Sequence, residues 1–168
     1  DLNAAEGHIA GTYMELGRMY QEMKDYEQAL ECIVKHEEIT AVYQPENLSG
    51  LAYSYYDQGF CHYHLGLQAR AHGDIVTAME EFQQAAQKLE DALSTNMKMR
   101  GPLAIDTIVN QELLADVYVA MAQGLYDKAS SGYTVARNMA ENLLGKNCKQ
   151  VQRIQEKRKN TIEQHYPI

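Results

Sequence analysis

Apolar residues along this chain recur at helical spacing. Tyr13, Leu16, Gly17 and Tyr20 fall at i, i+3, i+4 and i+7, which places them on one face of a helix, and Ala29 and Ile33 resume the pattern after a short polar break. No window sustains apolar-polar alternation, so strands are not expected and the predicted fold class is all-α. Helix-ending signals sit at Lys24-Asp25, Pro45, Gly73-Asp74 and Gly101-Pro102. They predict helices over about 4–23, 26–43, 48–72, 75–99, 102–123, 126–144 and 148–165. Asp25 and Asp74 suit N-caps, with Gln28 placed to complete a capping box, Gly73 suits a helix end, and Pro102 suits a first turn.

One motif occurs three times. The first copy runs Tyr13-Met14-Glu15-Leu16-Gly17-Arg18-Met19-Tyr20, then Lys24-Asp25-Tyr26-Glu27-Gln28-Ala29 and Ile33. The second runs His62-Tyr63-His64-Leu65-Gly66-Leu67-Gln68-Ala69, then Gly73-Asp74-Ile75-Val76-Thr77-Ala78, Phe82 and Ala85. The third is Leu113, Val117, Ala120, then Gly124-Leu125-Tyr126-Asp127-Lys128-Ala129, Tyr133 and Ala136, with Asp116 and Val117 where a Leu-Gly pair would stand. Gly17 facing Ala29, and Gly66 facing Ala78, let the two helices of a pair approach closely.

This pattern resembles the tetratricopeptide repeat (TPR) family, whose unit carries an aromatic, Leu-Gly and Tyr before a turn, then Ala, an aromatic and another Ala. The resemblance covers most of the chain. Ala29, Ala78 and Ala129 lie 49 and 51 residues apart, against roughly 34 in an ordinary repeat, so the helices are lengthened. His36 stands where the first copy would carry its last small residue, which predicts looser packing there. The resemblance implies one domain: an α-solenoid of three antiparallel pairs, at about 4–44, 48–99 and 102–145, with a capping helix at about 148–165. It further implies a protein-binding scaffold or adaptor whose first helices line a concave groove.

Beside the core stripe, those first helices carry Met14, Arg18 and Gln21, then Tyr63, Leu67 and Arg70, then Leu114, Tyr118 and Met121, each triplet spaced i, i+4, i+7. They are the candidate partner-binding residues: an apolar floor with two arginines, suited to a peptide or helix with apolar anchors. The same spacing also describes residues that pack against neighbouring helices. TPR domains that bind chaperone tails clamp a terminal carboxylate with lysines and asparagines, and that set is missing here.

Charge is unevenly placed within the net -8: residues 1–145 hold nine Lys/Arg against 21 Asp/Glu, and residues 146–168 hold six against two. The acidic body disfavours nucleic acid and anionic membrane, and no apolar run approaches the roughly 20 residues of a spanning helix. The basic end, Lys146, Lys149, Arg153, Lys157, Arg158 and Lys159, reads as a solvated final helix, with contact to an acidic partner or to nucleic acid as the alternative. Cys32, Cys61 and Cys148 are odd in number without paired spacing, which points to a reducing, cytoplasmic setting. The chain opens at Asp1, which predicts a piece of a longer protein.

Chemistry is sparse. His62 and His64, two apart on a helix, point away from each other; Cys61 and His64 could approach, but a four-ligand zinc set is missing, so no metal is expected. No phosphate-cradling Gly loop, nucleophile elbow or His-Glu-x-x-His helix occurs, and His36-Glu37-Glu38 reads as an acidic helix face, so neither catalysis nor a cofactor is expected. Besides partner binding, two readings stay open: self-association of the repeats, and a sensor domain of a peptide-responsive regulator.

Overall fold

A computed structural model of the chain describes residues 2–101, 104–144, 146 and 149–165. Among these residues there are six helices and no strand: α1 (Leu2–Glu22), α2 (Tyr26–Tyr43), α3 (Leu48–Ala71), α4 (Ile75–Arg100), α5 (Ile105–Leu144) and α6 (Lys149–His165). Pro102 and Cys148 lie outside the described residues, as do the side chains of Tyr126, Ala129, Tyr133 and Ala136. No helix among the described residues is long and apolar enough to cross a membrane.

Local chemistry sets the helix ends. Asp25 accepts a hydrogen bond from the backbone N–H of Gln28 at 3.3 Å, Asn47 from that of Gly50 at 3.0 Å, and Asp74 from that of Thr77 at 3.0 Å. Each satisfies a donor that has no partner inside its own helix. The expected capping box at α2 is only half formed, because the Gln28 side chain reaches Glu31. Lys24 and Gly73 precede the two aspartates at equivalent places and both adopt positive φ, 61° and 83°. Glycine takes this left-handed state without strain, whereas Lys24 is held in it by the turn.

The break expected near Gly124 does not occur, and α5 runs through it as one helix of 40 residues. Gly124 is followed by Leu125 and Tyr126, and Asp127 comes too late to cap a new helix as Asp25 and Asp74 do. A lone glycine costs a helix only about 1 kcal/mol, so without a cap behind it the helix continues.

The chain forms two compact units, Asp1–Met121 and Ala122–Ile168. In the first, α1 packs on α2, α2 on α3 and α3 on α4. One core joins Ala78, Phe82, Ala85 and Leu89 of α4 to Leu113, Leu114, Val117 and Ala120 of α5, with Tyr63 and Leu67 of α3 against it. A second joins Tyr26, Ala29 and Ile33 of α2 to Cys61 of α3. Full burial of a side chain such as Phe82, Leu89 or Ile33 contributes roughly 1.5–3 kcal/mol. Asn110 of α5 is also fully buried, and its amide has no hydrogen-bond partner among the described residues. Such a group costs about 1–3 kcal/mol. In the second unit, α6 buries Val151 and Ile154 and exposes Arg153, Lys157 and Lys159.

Closeness within each pair comes from glycine. A Cβ built on Gly17 would lie 2.7 Å from Ile33 Cγ1, and one on Gly66 would lie 2.6 Å from the Phe82 ring. Ile33 and Phe82 are equivalent, each four residues after its pair's alanine. Gly59, seven residues before Gly66, is equally tight, 2.6 Å from Leu89 Cγ. The matching position on α1 is Ala10, itself buried.

His36 turns the expected loose spot into a polar lock. Ser54 donates to the carbonyl of Gly50 at 3.2 Å, so its oxygen accepts from His36 Nδ1–H at 2.5 Å, and His36 Nε2 accepts from the Thr40 hydroxyl at 3.3 Å. All three side chains are buried. Burial, then the Arg18 charge, pushes the His36 pKa down and favours the neutral ring that this bonding pattern requires.

Gly66→Leu should therefore lose about 1–3 kcal/mol or more in urea unfolding. Gly11→Ala, on the same kind of helix but with nothing within 4 Å of the new methyl, should gain about 0.5–1 kcal/mol. Equal effects at the two positions would contradict the packing described.

Candidate functional site

The nine candidate groove residues fall into two groups. On α3 and α5 the strips meet and close: Tyr63, Leu67, Leu114 and Met121 all belong to or pack against the α4–α5 core. The Tyr63 ring lies 6.1 Å from that of Phe82. Arg70 sits over the same Phe82 ring at 5.7 Å and donates from Nη1 to the Ala120 carbonyl at 3.5 Å. Tyr118 is the exception, 46% exposed, with its hydroxyl donating to Glu90 at 2.6 Å.

On α1 the strip behaves differently. Met14 is buried. Arg18 is exposed and pairs only loosely with Glu15, at 3.6 Å. Gln21 reaches across to α3, where its amide donates to the Asp57 carbonyl oxygen at 3.3 Å and to Cys61 Sγ at 3.4 Å. The α1–α3 side is thus a polar seam and the α3–α5 side an apolar one. Arg18, Gln21, Tyr63, Arg70 and Tyr118 keep exposed or half-exposed surface.

Asp57 is the residue the periodicity did not reveal. It is half-buried in the α1–α3 seam, and desolvation raises its pKa to about 6, with the Arg18 charge and the Gln21 amide acting the other way. Its signal was present: it is the one charged residue in the aromatic run Leu51–Phe60. Cys61 beside it is fully buried, and desolvation pushes its thiol up to about 12, which leaves it a packing group.

The histidines do not gather. His62 pairs with Glu81 at 2.7 Å, while His64 stacks on Tyr26 with centroids 4.6 Å apart. Among the described residues no three His, Cys, Asp or Glu side chains are placed to hold a metal ion.

A further opening lies elsewhere. A cleft of about 1000 Å³ runs between α2 and α4 over the end of α3. Leu30, Val34, Leu65 and Ala69 supply its apolar lining, and Glu27, Glu31 and Glu81 its carboxylates. The TPR resemblance implies binding along first helices, and this cleft is built mostly on second ones. No family model, curated protein or solved structure matches the chain.

Asp57 makes the stability of the fold depend on pH. Its folded pKa, about 6, exceeds the ordinary aspartate value of 3.8. Its contribution to stability is fully present where both states are protonated and is lost as pH rises through about 6. His36 and His64, both depressed by burial, act in the opposite sense, losing stability as pH falls through the ordinary histidine range, but they are common to both proteins compared. Asp57→Asn should thus match the native protein near pH 4 and exceed it in urea unfolding at pH 7.5. A gap that does not change between these pH values would overturn this assignment.

Proposed function

We propose that this chain is a TPR-like protein-interaction module without catalytic function. In this reading α1–α2 and α3–α4 are two lengthened repeats, and the first half of α5 opens a third. A partner peptide or helix lies across the exposed parts of α1, α3 and α5. The observation that carries the reading is the duplicated crossing, in which Gly17 meets Ile33 and Gly66 meets Phe82 at positions 49 residues apart. Stacked pairs of this kind leave an extended flank for recognition.

Within that flank the accessible chemistry is Arg18, Gln21, Arg70 and Tyr118. Arg and Tyr are the residue types that most often dominate binding energy at interfaces. Arg18→Glu with Tyr118→Ala should leave thermal melting nearly unchanged, because exposed substitutions stay within about 0.5 kcal/mol. The double variant should lose, by about tenfold or more, a partner that the native chain captures by cross-linking, a loss of about 1.4 kcal/mol. Leu67→Asp, set in the core, should instead lower the melting temperature. Equal capture by native and double variant would refute the site.

A second reading, self-association, is favoured by α1. Ile9, Thr12, Leu16, Met19 and Met23 follow a three-four spacing along one stripe, and the four apolar members are exposed. On α3, 49 residues on, the counterparts of Thr12 and Leu16 are Cys61 and Leu65, which are packed against the α2 cluster. The α1 stripe thus has the pattern of a helix-pairing face, and the occupant in this reading is a second copy. Light scattering over a dilution series separates the readings: a concentration-dependent dimer that Leu16→Glu dissociates supports self-association, and a monomer throughout removes it.

A further inference from the structure

We infer that the cleft between α2 and α4 is a second docking site, distinct from the α1–α3–α5 flank, and that it accepts a cationic amphipathic peptide segment. The proposal goes beyond the preceding reading and does not require it.

Shape comes first. The cleft is open to solvent and its apolar residues, Leu30, Val34, Leu65 and Ala69, are half-buried, so a ligand can still remove part of their surface from water. Its α2 wall runs from Glu27 to Lys35. At 1.5 Å per residue that wall is about 12 Å long, room for about two turns of a docked helix. A segment of that length offers apolar side chains at i and i+3 or i+4 to the floor.

Charge then selects the class of partner. Glu27 and Glu31 are exposed on α2, and Glu81 faces them from α4. The cation on this wall, Lys35, is paired with Glu38 at 2.6 Å. From the α3 side the cleft is met by His72, whose Nδ1–H donates to the Gln68 carbonyl at 2.8 Å, and Glu81 also accepts from His62 at 2.7 Å. Glu31 accepts from the Gln28 amide at 3.5 Å. The balance is negative, over a body already rich in carboxylates, which steers Lys- or Arg-bearing segments toward the cleft and repels acidic ones. Apolar anchors in the floor with Lys or Arg against Glu27 and Glu31 satisfy both features at once.

The test uses the full chain and a dye-labelled synthetic peptide with Leu and Lys in helical register, read by fluorescence anisotropy, beside the same peptide with every Lys replaced by Glu. The Lys peptide should bind and the Glu peptide should not. Glu27→Lys with Glu31→Lys should weaken binding by about tenfold or more, as reversal of two charge contacts allows, and Val34→Gln on the floor should weaken it several-fold. Glu46→Lys with Glu112→Lys, the same charge change away from the cleft, should alter affinity by less than about twofold, and Arg18→Glu with Tyr118→Ala should leave it unchanged. The proposal is overturned if the Glu46/Glu112 variant weakens binding as much as the Glu27/Glu31 variant. It is likewise overturned if the Glu peptide binds equally well, if Val34→Gln has no effect, or if the Arg18/Tyr118 variant abolishes binding.

Discussion

The first unit depends on how near two helices of a pair can lie. Ridges of side chains ordinarily keep helix axes about 8–10 Å apart, and a residue without a side chain at the crossing lets the partner's side chain fill the space instead. Gly17 admits Ile33, Gly66 admits Phe82 and Gly59 admits Leu89. Those three side chains are fully buried, and each of the two apolar clusters forms around one or more of them. What α1 and α3 show to solvent follows from this, because the face turned to the crossing fixes which residues remain outside.

The two pairs solve the next problem differently. After its aromatic, the α4 face runs Ala85 and Leu89, an apolar continuation, whereas the α2 face runs His36 and Thr40. Those polar groups are stable inside only because Ser54 completes their hydrogen bonds. The same α2–α3 boundary carries Glu37, which accepts from the Gln58 amide and from Lys88 of α4 at 3.2 Å. A boundary specified by polar partners tolerates fewer registers than one specified by apolar bulk, since a shift would leave buried groups unpaired. Asn110 is the counter-example, a buried amide without a partner among the described residues, and no feature of the structure accounts for it.

Much of the helical architecture was legible in the sequence because its signals are local. Asp25 and Asp74 behave as the caps their position suggested, and α2 spans Tyr26–Tyr43 as its pattern required. Gly124 misled because a glycine within a helical pattern does not by itself distinguish a helix end from an interior position; only the residue that would cap the next helix decides, and here it is Leu125. For the candidate site, spacing places Met14, Tyr63, Leu67 and Leu114 on strips but cannot tell whether a strip faces solvent or a neighbouring helix. The α2–α4 cleft was not visible because it arises between elements, where no single-helix pattern reports it, and Asp57 was marked only by its lone charge in an aromatic run, which periodicity does not register.

The glycine crossing is tested most directly by a double-mutant cycle between Gly66 and Phe82. If the ring occupies the space a side chain would need, Gly66→Ala should be costly in the native background and much cheaper alongside Phe82→Ala, giving a coupling within the roughly 0.5–3 kcal/mol found for residues in contact. Strictly additive losses would mean that the two residues do not meet, and the account of how the pairs close would fail.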